Sequence, residues 1–118
     1  MLQKIWEDPG HGLGSIWFCD EATAKTADWA GSVINCAHYT VKYPRGVRPY
    51  WLHISFHGQL DDTRWKDRVL GALRLVMETI LRGEDSLVHC VQGHQIGKGV
   101  CSWFWMLCGL DLGPQAQT

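Results

Sequence analysis

The sequence predicts a single α/β domain with a central, mostly parallel sheet of four to five strands flanked by helices. Three observations lead there. Short apolar runs of strand character, at 15–19, 32–37, 50–56 and 86–90, alternate with segments of helical character. The run Ser32-Val33-Ile34-Asn35-Cys36-Ala37 is apolar almost throughout, as a strand covered on both faces of a parallel sheet must be, rather than alternating like a strand with one wet face. Finally, 118 residues, 46% of them hydrophobic, suffice for one core and are too few for two.

In chain order, residues 1–13 read as an N-terminal segment, 14–112 as the domain and 113–118 as a polar tail. After the first strand at 15–19, Asp20 is placed to cap a helix over 21–30, which Gly31 stops. The second strand covers 32–37. Residues 42–49, with Tyr43, Pro44, Gly46 and Pro49, read as a loop before a third strand at 50–56 that Gly58 breaks. Asp62 or Thr63 then caps the clearest helix of the chain. Along it Trp65, Val69, Leu73, Val76 and Ile80 recur at helical spacing, opposite Lys66, Asp67, Arg74, Glu78 and Arg82, and Gly83 ends it. A fourth strand at 86–90, a glycine-bearing loop at 91–97 and a last helix at 98–110 complete the reading.

Composition narrows the function classes. The net charge is -1 and the basic residues are scattered, so the chain lacks the electrostatic footprint that neutralises a phosphodiester backbone, and nucleic acid is excluded as a partner. Its longest near-apolar run, 100–110, is well short of the roughly 20 residues of a membrane-spanning helix, and no hydrophobic stretch near the N-terminus precedes a small-residue cleavage site. Five cysteines, an odd number, without the two-residue spacing of a zinc knuckle, fit a reducing, intracellular and cytoplasmic setting. Neither a metal nor a cofactor is expected: His89 and Cys90 are adjacent on a strand, so their side chains point to opposite faces. Gly93-His94-Gln95-Ile96-Gly97-Lys98-Gly99 is one residue short of a nucleotide-binding P-loop and lacks the Ser or Thr that would follow its lysine.

The chemistry points to Cys90. An apolar strand ending in His89-Cys90, then a glycine loop, then an apolar helix directs successive backbone N–H groups and a helix N-terminus at one spot. Such a spot binds anions, and the same field stabilises a thiolate, which makes the cysteine a nucleophile near neutral pH. Here the sequence resembles the protein tyrosine phosphatase superfamily, and more closely its dual-specificity branch. The resemblance is carried by Val33-Ile34-Asn35-Cys36-Ala37, Tyr43-Pro44, Leu52-His53-Ile54 and Leu87-Val88-His89-Cys90-Val91-Gln92-Gly93, in family order and spacing across roughly 14–110. It implies a dual-specificity-phosphatase-like fold, a phosphate cradle formed by the backbone of Val91, Gln92, Gly93, His94, Gln95, Ile96 and Gly97, and a phosphorylated protein or other phosphomonoester as ligand. His89 is the residue expected to tie the loop down.

Three departures bear on activity. The family places an arginine six residues after the cysteine and a hydroxyl next to it; those positions are Ile96 and Gly97 here. Isoleucine offers neither the charge nor the bidentate donors that follow a phosphoryl group into its transition state. Lys98 is a substitute only as a point charge. The family's general acid, an aspartate beyond the third strand, falls near His57-Gly58, which leaves His57 and Asp61 as the candidates. The chain is also short at its C-terminal end for this family, so Trp103, Phe104 and Trp105 of the last helix either fill the core or meet a protein partner.

The expectation is therefore a catalytically impaired pseudophosphatase that binds a phosphorylated ligand or partner. An active cysteine-dependent phosphomonoesterase and a structural subunit using the last helix as an interface are the alternatives. Lys42, Arg45 and Arg48 are expected either to flank an acidic ligand at the mouth of the site or to be solvated loop residues. Cys36 is read as core packing.

Overall fold

A computed structural model describes residues 2–37, 39–52 and 64–89, with side chains from residue 67 onward in the last stretch. Its strands are β1 (Leu2–Trp6), β2 (Ile16–Cys19), β3 (Ser32–Asn35), β4 (Arg48–Trp51) and β5 (Ser86–His89), and its helices α1 (Glu21–Ala24) and α2 (Arg64–Leu81). They form a small α/β unit around one mixed five-stranded sheet in the order β1-β2-β5-β3-β4. β1 pairs antiparallel with β2, whereas β2 with β5, β5 with β3, and β3 with β4 pair parallel.

β5 lies between β2 and β3, and every one of its residues is buried. Its side chains alternate between the two faces of the sheet. Val88 joins Ile16, Phe18, Ile34 and Cys36 against Val69, Ala72, Leu73, Val76 and Ile80 of α2. Leu87 joins Cys19 and Val33 against Ala24, Ala27 and Ala30 on the other face. Helical cover on both faces is why β3 and β5 read as continuous apolar runs.

α2 carries the expected stripe: Val69, Leu73, Val76 and Ile80 are buried, and Asp67, Arg74 and Glu78 are exposed. Trp65, Lys66, Asp62 and Thr63 lie outside the described side chains. Gly83, at φ +79°, terminates the helix. Its N–H bonds the Ile80 carbonyl at 3.0 Å and the Glu84 N–H bonds the Thr79 carbonyl at 3.1 Å, the paired closure that a left-handed residue permits.

Several boundaries differ from the sequence reading. Leu2–Trp6, placed in a segment ahead of the domain, is the edge strand β1 of the same sheet; only partly buried, it mixes Gln3 and Lys4 with its apolar residues and gives no clean strand signal. The first helix stops at Ala24 instead of continuing to residue 30. The Thr26 hydroxyl takes the Thr23 carbonyl at 3.1 Å, so the Ala27 N–H falls back on Ala24, and tight turns continue to Ala30. Arg48 and Pro49, assigned to a loop, begin β4, where an edge position tolerates the proline. Residues 53–56 of the expected strand 50–56 lie outside the described residues; the buried Leu52 donates its N–H to the Asn35 carbonyl at 2.9 Å.

The amino-terminal edge of the parallel strands is sealed. Ser32 Oγ stands 2.8 Å from both Ser86 Oγ and Thr79 Oγ1, and Arg48 Nη2 donates to Thr79 Oγ1 at 3.1 Å. Ser86 bonds the Ser15 carbonyl, and the Ser15 N–H reaches Asp85 Oδ1, each at about 2.8–2.9 Å. Gly14 is obligatory there, since a Cβ would fall 1.8 Å from the Glu84 carbonyl oxygen. Among the described residues no helix is long and apolar enough to cross a membrane.

Candidate functional site

The parallel register aligns the carboxyl ends of four strands: Cys19 of β2 pairs with His89 of β5, His89 with Asn35 of β3, and Asn35 with Trp51 of β4. In open α/β sheets ligands bind at this edge, where backbone and side-chain polar groups emerge between crossovers. Here the edge is polar and closely tied.

His89 is fully buried, on the α1 face. The Tyr43 hydroxyl lies 2.6 Å from its Nε2, and the two rings meet edge to face with centroids 5.6 Å apart. Burial pushes the Tyr43 pKa far above that of an ordinary phenol, with smaller contributions from Cys36, Glu21 and Cys19, so Tyr43 keeps its proton at neutral pH. The Tyr43 hydroxyl and His89 Nε2 share one hydrogen, which ties the tautomer of the imidazole to this contact.

The segment after β3 is stitched to three other elements. Asn35 accepts the Ala37 N–H through Oδ1 at 2.8 Å and donates through Nδ2 to the Tyr39 carbonyl at 2.9 Å, a local turn that only a short amide side chain makes. Trp51 Nε1 donates to the Ala37 carbonyl at 2.9 Å. The Tyr39 hydroxyl donates to Glu21 Oε2 at 2.6 Å, and Lys25 Nζ lies 3.3 Å from Glu21 Oε1. The Tyr39 hydrogen bond, followed by Lys25, holds the Glu21 carboxyl below its usual range, and the same bond raises the Tyr39 phenol. Asp20 caps α1 as expected, accepting from the Thr23 N–H at 3.0 Å. The ends of β2, β3, β4 and β5 are thus fixed relative to one another by hydrogen bonds.

Of the residues singled out in the sequence, His89 stands at this edge. Cys90, Val91, Gln92, Gly93, His94, Gln95, Ile96, Gly97 and Lys98, the acid candidates His57 and Asp61, and Trp103, Phe104 and Trp105 lie outside the described residues. Lys42 and Arg45 are exposed. Arg48 does not flank this edge: it opens β4 in register with Ser32, at the opposite end of the sheet, where it bonds Thr79 and approaches Glu78 at 4.0 Å. Tyr43, Tyr39, Glu21 and Asn35 carry the network, and sequence reading gave them no role in the site. Asn35 did leave a signal, as a lone amide in an otherwise apolar strand whose end needs a turn. Among the described residues no group of three His, Cys, Asp or Glu side chains is placed to hold a metal ion.

This architecture defines a small α/β domain with a polar carboxyl edge. Searches against family models, curated proteins and solved structures return no match to the chain.

Two outcomes test the network. Tyr43→Phe removes the hydroxyl that faces Nε2 of a buried imidazole and is expected to lower the unfolding free energy by about 2 kcal/mol. In nitrogen NMR the His89 ring should change from a single tautomer to a mixture; an unchanged pattern would show that Tyr43 does not set it. The second concerns pH. Because the folded-state pKa of Glu21 is held below the ordinary value of 4.5, its contribution to stability is fully present above that value and is lost as pH falls through the folded pKa. Urea titrations of wild type and Tyr39→Phe should therefore show a stability gap that is constant at neutral pH and closes in acid. A gap independent of pH would mean the bond does not depend on the carboxylate.

Proposed function

We propose that this chain is a dual-specificity-phosphatase-like domain that binds a phosphorylated ligand through the backbone of residues 91–97 without hydrolysing it efficiently. The observation that carries this reading is the position of His89. It is the last residue of the central strand, buried and hydrogen-bonded to Tyr43 at the carboxyl edge of the parallel strands, and the next residue in the chain is Cys90. A strand anchored there feeds the glycine-bearing loop directly into the place where an α/β sheet receives anions.

In this reading the loop amides donate hydrogen bonds to the phosphoryl oxygens, and the His89 ring, held by Tyr43, fixes the backbone from which the loop departs. Cys90 supplies a thiolate in the same field. Catalysis fails at charge compensation. With Ile96 where a guanidinium is required, no side chain at that position follows the charge onto the transferring phosphoryl group, and Gly97 brings no hydroxyl to assist the departing sulfur. Loss of one such electrostatic contact costs about a thousandfold in rate, or ~4 kcal/mol of barrier.

The test is hydrolysis of an aryl phosphate by the purified chain beside Cys90→Ser and Ile96→Arg, together with calorimetric titration of inorganic phosphate. The expected result is phosphate binding, turnover indistinguishable from Cys90→Ser, and a gain of activity in Ile96→Arg. Turnover in the natural sequence that Cys90→Ser abolishes would establish the active phosphomonoesterase instead. Absence of phosphate binding would leave a structural domain.

A further inference from the structure

The two lateral edges of the sheet differ in the peptide groups they present. The Ser86 N–H bonds the Ser15 carbonyl, so the odd-numbered residues of β2 turn their peptide groups to β5, and Ile16 and Phe18 turn theirs to β1. Phe18 is in register with Gln3, and the peptide groups of Leu2 and Lys4 on either side of Gln3 therefore point away from the sheet. Among the described residues β1 pairs with β2 alone, and none bonds the outward peptide groups of Leu2 or Lys4. On the far edge the Arg48 N–H bonds Gly31 and the Leu52 N–H bonds Asn35, which leaves Pro49 and Trp51 facing outward. Pro49 has no N–H, so a further strand cannot pair completely with β4. β1 is the edge with a full set of donors and acceptors.

Edge strands are ordinarily guarded by lysine side chains and bulges. Here the lysine is drawn back over the sheet: Lys4 Nζ lies 4.9 Å from the centroid of the Trp17 ring on the neighbouring strand and donates to Glu7 at 3.1 Å. The register irregularity between Lys4 and Trp6 ends the regular edge after Lys4. What remains, Leu2-Gln3-Lys4, is complementary to its own copy run antiparallel. With a two-fold axis through Gln3, Leu2 and Lys4 of one chain exchange all their outward peptide hydrogen bonds with Lys4 and Leu2 of the other. An axis through Lys4 would instead set two ammonium side chains opposite each other.

The side chains agree with the axis through Gln3. Leu2 shares the α1 face with Cys19 and is 43% exposed, and across the axis it meets the aliphatic stem of Lys4 from the second copy. Gln3 shares the α2 face with Phe18, and the two Gln3 amides meet at the axis within hydrogen-bonding reach. We propose that β1 is a self-association edge, through which two copies of this chain join Leu2–Lys4 to Leu2–Lys4 and continue one sheet across both. So short a contact falls below the roughly 800 Å² per partner of a stable complex, and the dimer is a transient one. The inference rests on the sheet and is independent of the phosphate-binding reading.

The experiment follows the full chain by sedimentation equilibrium from micromolar to millimolar concentration, with NMR of a sample mixed from isotope-labelled and unlabelled protein. The expected result is a reversible monomer–dimer equilibrium, slower exchange of the Leu2 and Lys4 amide hydrogens as concentration rises, and an intermolecular Hα–Hα contact between the two Gln3 residues, which form a closely spaced antiparallel pair. Leu2→Pro and Lys4→Pro each remove an outward N–H and leave the β1/β2 hydrogen bonds in place. Each should weaken association by about tenfold or more, with the amide resonances of β2 and β5 unchanged. A chain that stays monomeric at millimolar concentration would overturn the proposal. So would association that survives both proline variants and is lost in Leu81→Glu, because it would place the contact on Leu70, Met77 and Leu81, exposed apolar residues of α2. Should a proline variant lose its fold, the Gln3 contact in the natural sequence decides, and a dimer without that contact refutes pairing through β1.

Discussion

The ladder around β5 is the constraint on which the other features depend. A four-residue strand with both neighbours parallel and every residue buried exposes no edge to water, so its backbone groups must find partners in β2 and β3. Each unpaired buried group would cost on the order of 1–3 kcal/mol. Backbone pairing requires the neighbours and the side chains select the register, because a slip of one residue would turn Leu87 and His89 toward α2 and Val88 toward α1.

A fixed register makes the two ends of the sheet chemically different. At the amino end, Ser32, Ser86 and Thr79 satisfy one another and Arg48, while Gly14 allows the chain before β2 to press against Glu84. That end is closed by contacts that a ligand would have to break. At the carboxyl end the chain leaves β2, β3, β4 and β5 at one level, and the polar groups are spent on holding loops: Asn35 on the turn after β3, Trp51 on Ala37, Tyr39 on Glu21, Tyr43 on His89. β5 therefore ends at a fixed point.

Legibility of the fold followed the strength of the local signal. The α2 stripe, the Gly83 stop, the Asp20 cap and the buried runs of β3 and β5 were readable because each is dictated within a few residues. β1 and the start of β4 were not: an edge strand holding Gln3 and Lys4, and a strand beginning Arg48-Pro49, are stabilised by the neighbour they pair with rather than by their own pattern. The end of the first helix was missed because the outcome turns on the Thr26 hydroxyl competing for one carbonyl. At the site, sequence reading singled out His89 for its place before Cys90, whereas its bond to Tyr43 joins residues 46 positions apart and follows only from the folded sheet. Arg48 shows the converse: proximity in sequence to Lys42 and Arg45 suggested a shared role, and β4 carries it to the other end of the molecule.

If, as proposed, the anchored carboxyl end of β5 delivers the Cys90 sulfur into a ring of amide hydrogens, the pKa of that thiol reports on it most directly. The rate of alkylation of Cys90, followed by mass spectrometry across pH, should titrate below about 7.5, as for thiols facing a helix N-terminus. A Cys90 that titrates at or above the ordinary value of about 8.5 would contradict the account, because it would place that sulfur among apolar groups with no field of amides to hold its charge.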